Sequence, residues 1–203
     1  MPQTWLTSDL HFGHAFVAGL RGFEHVDAHD QAILSHWGRV VGADDDIWVV
    51  GDFALGRWRE ALAQISGLPG RKHLVTGNHD RCWPGAKNGH AYLREYLTVF
   101  ETVQSVAMLR ADGEQFFLSH FPYSGDTVGR AGDRHTQLRL RDEGVPLIHG
   151  HTHGTETSGL SSAGTPMIHV GLDARGMRFV PMGQVVTELR EVRRASKQVR
   201  RGR

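Results

Sequence analysis

Short apolar runs recur along the chain, and each one breaks at a polar or glycine-rich turn. They are TWLTS (4–8), IWVVG (47–51), HLVTG (73–77), FFLSH (116–120), PLIHG (146–150) and MIHVG (167–171). Runs of this length bounded by turn residues read as buried strands. Between the first three the hydrophobic period changes to that of a helix. Asp27 and Asp30 are read as opening one helix over AHDQAILSHWGRVV, in which Ile33, Leu34, Trp37, Val40 and Val41 share a face before Gly42 closes it. A second helix covers about 58–65 and stops at Gly67, and a weaker third covers about 91–97. The order βαβαβ predicts parallel pairing in the first half. The segment VFETVQSVAMLRADGEQFFLSH reads as a hairpin around Asp112-Gly113, so the second half is expected to turn antiparallel.

Length and composition restrict the class without naming it. The 203 residues suit one domain, and 39% hydrophobic with 22% charged residues excludes a disordered or fibrous chain. A single cysteine, Cys82, cannot close an intrachain disulfide and points to a reducing compartment. No stretch approaches the roughly 18 apolar residues of a membrane span, and the first residues lack a basic segment followed by an apolar run. The expected location is therefore the cytoplasm, with no membrane partner. Residues 190–203 carry seven cations against one anion, Glu191, which leaves the first 189 residues net negative. The expectation is a single domain over 1–189 followed by a basic, flexible tail over 190–203.

Histidine changes the picture. There are 14, against three lysines, and many of them fall where strands end. Asp9 and His11 follow the first strand, Asp52 the second, Asn78, His79 and Asp80 the third, His120 the fourth, and His151 and His153 the fifth. In open α/β sheets ligands bind beyond the carboxyl ends of the strands, so one rim would collect all of these side chains. In Asp9-Leu10-His11 and His151-Thr152-His153 the outer two side chains project the same way if the backbone stays extended, so each pair could grip one ion. Mixed oxygen and imidazole ligation without thiolate suits manganese, iron, zinc, nickel or cobalt, and not a closed structural zinc site.

The series DLH, GD, GNHD, SH and GHTH, each piece at a strand end, resembles the calcineurin-like metallophosphoesterase superfamily over residues 4–154, with a looser match through VGLD at 170–173. The opening SDLHFGH is most similar to its small uncapped bacterial and phage branch. The resemblance implies an α/β fold, a four-layer αββα sandwich of two mixed sheets. It also implies two divalent metal ions, with manganese the expected resident. Asp9, His11, Asp52 and His153 would hold one ion and Asp52, Asn78, His120 and His151 the other, with Asp52 bridging. His79 would be the proton donor to the leaving oxygen, with Asp80 orienting it, and a hydroxide bridging the ions would attack phosphorus. His14 and Arg81 are weaker candidates for contacts to the substrate phosphate. The positions that carry acidic residues in the protein serine/threonine phosphatases, three after the bridging aspartate and at the end of GNHE, are Leu55 and Asp80 here, which separates this chain from that branch. The expected substrate is a phosphate ester, a diester ahead of a monoester, with nucleotides and nucleic acid as candidates. A nuclease using the basic tail is the alternative reading. A scaffold of the same fold that has lost catalysis is disfavoured, because every ligand position and His79 are filled.

Overall fold

The computed structural model describes residues 2–126 and 132–201. Strands β1 (Thr4–Thr7), β2 (Asp46–Val50) and β3 (Arg71–Val75) alternate with helices α1 (Ala15–Leu20), α2 (Val26–Val40) and α3 (Trp58–Ser66). After a 3₁₀ turn at Gly89–Tyr92 come α4 (Leu93–Tyr96) and strands β4 (Thr102–Gln104), β5 (Ala107–Ala111) and β6 (Glu114–Leu118). Strands β7 (Leu147–His149), β8 (Ser158–Leu160), β9 (Pro166–His169) and β10 (Val180–Pro181) follow, and α5 (Met182–Arg201) ends the described chain.

Two mixed five-stranded sheets result, ordered β10-β1-β2-β3-β4 and β5-β6-β7-β9-β8. In the first sheet β1 to β4 pair in parallel and β10 is antiparallel to β1. This matches the expected parallel start and the expected sandwich of two mixed sheets with helices. Neighbouring residues of β2 and β3 divide between two cores, as the period of two requires. Val49 and Leu74 meet Ile33 and Trp37 of α2 and Leu62 and Ile65 of α3, while Val50 and Val75 meet Phe116, Leu118, Ile148 and Ile168 of the second sheet.

The second half departs from a simple antiparallel finish. Within the second sheet, among the described residues, β5/β6 and β8/β9 are antiparallel, whereas β6, β7 and β9 run parallel. The expected hairpin is present at Asp112-Gly113, whose φ values of 49° and 79° are those of a type I′ turn. However, the residues before it split between sheets. Strand β4 extends the first sheet beside β3, and β5 opens the second, so the chain crosses from one sheet to the other between Gln104 and Ala107.

Two local expectations are corrected. Asp27 and Asp30 do not cap α2; its N-cap is His25, without a side-chain cap bond, and Asp30 Oδ2 instead accepts the N–H of Gly13 at 2.9 Å. The expected boundary at 189/190 falls inside a helix, since α5 runs without a break from Met182 to Arg201, with residues 202–203 outside the described residues. It packs against β5, β8 and β9, buries Val185, Val186 and Leu189, and pairs Arg193 with Glu114 at 2.7 Å. Among the described residues no helix is long and apolar enough to cross a membrane.

Candidate metal centre

Strands β1, β2, β3, β6 and β7 each stop two or three residues before a chemically active side chain. The loops beyond are laced together by main-chain bonds, with Asp9 N–H donating to Gly51 O and His11 N–H to Asp52 O, both at 3.0 Å. These loops do not stay extended. Asp9, His11, Asp52, His151 and His153 all adopt left-handed backbone, with φ of 57°, 51°, 54°, 73° and 51°. Each costs an L-residue roughly 1–2 kcal/mol, and such strain concentrates where side chains must be aimed. The period-two argument for Asp9/His11 and His151/His153 therefore reaches the correct rim by the wrong conformation. Two glycines leave space where a side chain would collide: a Cβ on Gly77 would overlap Asp52 Oδ1, and one on Gly150 would overlap Ser8 and Asp9.

The donor atoms converge. Asp9, His11 and His153 each offer one within 4.8 Å of the others, and so do Asp9, Asp52 and His120. His11 Nε2 lies 3.1 Å from His153 Nε2 and 3.7 Å from Asp52 Oδ2, and His120 Nε2 lies 3.2 Å from Asp52 Oδ2. His120 and His151 rings stand 5.1 Å apart. His120 Nδ1 donates to Val50 O at 2.9 Å and His153 Nδ1 to Asp173 Oδ2 at 2.8 Å, which turns both Nε2 atoms toward the cluster. Asn78 Oδ1 is buried without a hydrogen-bond partner, a state that normally carries a penalty of about 1–3 kcal/mol. Buried carboxylates, inward-facing imidazole nitrogens and an orphaned amide oxygen at one point fit divalent cations. The two donor groups contain five of the seven sequence-derived ligand candidates, with Asp9 in both, while Asn78 and His151 line the same cavity as His11, Asp52 and His153.

The electrostatics agree. Burial lowers His11 and His151 to a pKa of about 3, so both imidazoles are neutral at ordinary pH, and the His151 Nε2 lies 3.1 Å from Arg134 Nη2. Burial opposes charge on His120 as well, but the Asp52 carboxylate beside it more than offsets this and raises it to about 9. Asp52, disfavoured by its burial, is nonetheless held well below the carboxylate range by His120. In the absence of metal these two form an ion pair.

The other candidates separate. His79 sits at the cluster edge, its Nε2 4.0 Å from Asp52 Oδ2 and its ring 5.3 Å from that of His11, while its N–H donates to Asp52 Oδ1 at 2.9 Å. Asp80 does not orient it. The Asp80 carboxylate accepts the N–H groups of Gly77 (2.8 Å), Phe53 (2.9 Å) and Asp52 (3.1 Å), so it ties the loop after β3 to the loop after β2. Its burial followed by the nearby Asp52 charge pushes it up to about 7. His14 lines the same 230 Å³ cavity as His11, Asp52, Asn78 and His79. Arg81 does not, and lines the neighbouring one. Cys82 is buried and its thiol is pushed up by that burial, which leaves it a poor ligand.

Sequence patterns missed three supports. Asp173, present only in the looser VGLD match, accepts from His153 and takes both Nε and Nη2 of Arg21 at 3.0 and 2.7 Å. Arg21 also donates to Asp9 O at 2.8 Å. Asp126 lies 3.3 Å from His151 Nε2 and is paired with Arg134 and Arg139. The DLH, GNHD and GHTH residues stand out by their spacing at strand ends; Arg21 and Asp126 follow no such pattern.

The model of the calcineurin-like phosphoesterase superfamily domain matches residues 5–190. This chain belongs to that superfamily. The gene 66 proteins of Mycobacterium phages L5 and D29 are each 43% identical to it, over 87% and 91% of this chain and 89% and 94% of theirs. The Aquifex aeolicus protein AQ665, described as of unknown function, shares the fold with a TM-score of 0.67 at 22% identity, covering 92% of this chain and 99% of its own. Membership makes the chain a metal-dependent phosphoester hydrolase, and phosphate esters are its substrates.

Proposed function

We propose that this calcineurin-like phosphoesterase hydrolyses phosphodiesters ahead of monoesters on a two-ion centre. The observation that carries the reading is the pair of overlapping donor groups, Asp9/His11/His153 and Asp9/Asp52/His120, with the orphaned Asn78 Oδ1 and the neutral His151 beside them. Bound divalent ions, manganese the expected pair, would polarise the phosphoryl oxygens and lower the pKa of a coordinated water. The protein does the rest. Asp52 would bridge the two ions, and the main chain of His79 fixes one of its oxygens. Asp173 and Val50 O hold the imidazoles of His153 and His120 in the orientation that ligation requires. His79, assigned no ion, stands within reach of the leaving oxygen and supplies its proton.

The diester preference follows from charge. Among the described residues lining the cavity the one arginine is Arg134, which is committed to Asp126, and there is no lysine. A dianionic monoester would gain little there beyond what a monoanionic diester gains. The compartment assigned is the cytoplasm, on the single buried thiol of Cys82. The test loads the protein with Mn²⁺ and compares a generic aryl phosphodiester with its matching monoester. A higher kcat/KM for the diester is expected, and a clear monoester preference across several metals would overturn the assignment.

A further inference from the structure

Two cavities meet at one wall. The first, about 230 Å³, contains the donor cluster and has helix α1 as its far lip. There Phe16 and Leu20, spaced i and i+4, are 70% and 69% exposed, while Val17 between them is buried and anchors the helix. Large apolar side chains this bare on the rim of a polar site form a platform for an apolar or planar group. The second cavity, about 410 Å³, shares Asn78 and His79 with the first and is lined by Arg81, Lys87, Tyr92 and Trp58. Trp58 is itself buried, with Tyr96 stacked on it at 5.3 Å and the Arg59 guanidinium 4.3 Å over its ring, so this wall is held in place. Its single lining carboxylate, Asp80, is buried and spent on three backbone N–H groups. A body whose first 189 residues are net negative thus presents two cations beside its proton donor.

His79 belongs to both walls. With phosphorus in the first cavity, the oxygen that His79 protonates lies at the boundary, and whatever that oxygen carries extends toward Arg81 and Lys87. The group kept on phosphorus stays against Phe16 and Leu20. A planar group, a scissile phosphate and a second anion in succession is the repeat of a nucleotide strand, and aromatic platforms joined to a cationic groove are how single strands are held. We propose that the substrate is a short single-stranded oligonucleotide, with the base of the retained nucleotide on Phe16 and Leu20 and the next phosphate of the departing nucleotide on Arg81 and Lys87. This rests on the hydrolase reading above. In the reaction the oxygen of water bonds to phosphorus, the bond from phosphorus to the departing nucleotide's oxygen breaks, and that oxygen receives one proton through His79.

The test uses the full chain with Mn²⁺ and four substrates: an aryl phosphodiester, a thymidine dinucleotide without end phosphates, and the same dinucleotide phosphorylated at its 5′ or its 3′ end. One end-phosphorylated dinucleotide is expected to exceed the unphosphorylated one in kcat/KM by about tenfold at low salt, as two exposed charge contacts allow. The gain should shrink as salt rises and vanish in the Arg81→Ala/Lys87→Ala double variant. A second readout avoids turnover: in chelator, thymidine 3′,5′-bisphosphate should bind the double variant about tenfold more weakly than the parent. Equal kcat/KM for the three dinucleotides, a gain that survives the double substitution, or an unchanged Kd would overturn the proposal. Failure to cleave even the aryl diester would instead sink the diesterase reading on which it rests.

Discussion

Asp173 is the residue whose removal most sharply tests how the centre is held. Its Oδ2 accepts from His153 Nδ1 at 2.8 Å and from Arg21 Nη2 at 2.7 Å, and its Oδ1 accepts from Arg21 Nε at 3.0 Å. Asparagine offers one acceptor oxygen in place of two. If that oxygen serves His153, the amide N–H₂ faces the guanidinium of Arg21, donor against donor. The imidazole then loses the carboxylate that fixes its ring, and substitutions of this kind cost about 10–100-fold in metal affinity, or about 1.4–2.7 kcal/mol. Asp173→Ala should add a stability loss. The Arg21 side chain is 4% exposed, and removing one partner of a buried ion pair costs roughly 3–5 kcal/mol. The carbonyls of Asp9 and Leu10 remain for Arg21, so about 3 kcal/mol is expected. Metal affinity is read by competition with a chromophoric chelator, and stability by urea unfolding with metal removed. A double-mutant cycle with His153→Ala completes the test, because Asp173→Asn should cost no further affinity once its imidazole is gone. If Asp173→Asn binds metal as the parent does, or loses the same affinity with and without His153, the positioning argument is wrong.

Three further outcomes are expected. Asp52→Asn should lose more bound metal than substitution of any one-ion ligand, because Asp52 lies 3.7 Å from His11 Nε2 and 3.2 Å from His120 Nε2; elemental analysis showing full metal content would refute its bridging place. His79→Asn should retain metal while losing on the order of 10²–10⁴ in rate, more on esters with poor leaving groups than with good ones, so an equal loss on both would speak against proton donation. Gly77→Ala should destabilise the chain by about 1–3 kcal/mol or more and strip metal, because the new Cβ would lie 2.5 Å from Asp52 N and overlap its Oδ1; a variant with parental melting temperature and metal content would show that the loop can yield.

Which of these features could be read in advance depends on whether their cause is local. The strand runs, the α2 face of Ile33 and Trp37, and the Asp112-Gly113 turn are set by residues within a few positions of one another, so periodicity and turn chemistry reveal them. The candidate ligands were legible for a related reason: strands in a parallel core deliver whatever follows them to one rim, and Asp9, Asp52, Asn78, His120 and His151 all follow strands. Their number and kind follow from the sequence. How they are aimed does not. The left-handed backbone at Asp9, His11, Asp52, His151 and His153 is imposed by bonds between loops, such as His11 N to Asp52 O, which no local window contains.

The same holds for the residues that were assigned other roles or overlooked. Asp80 reads as a partner for the adjacent His79, yet its carboxylate is taken by the N–H groups of residues 52 and 53, brought beside it by the pairing of β2 with β3. Arg21 meets Asp173 across 152 positions. Strand β4 joins the first sheet because β3 has a free edge there, and α5, anchored on the second sheet by Val185, Val186 and Leu189, continues as helix past Arg190 through residues that are exposed or half-buried up to 198. Sequence supplied the chemical groups and the strand ends that carry them; the three-dimensional packing decided which oxygen and nitrogen atoms face one another, because orientation is set by partners distant along the chain.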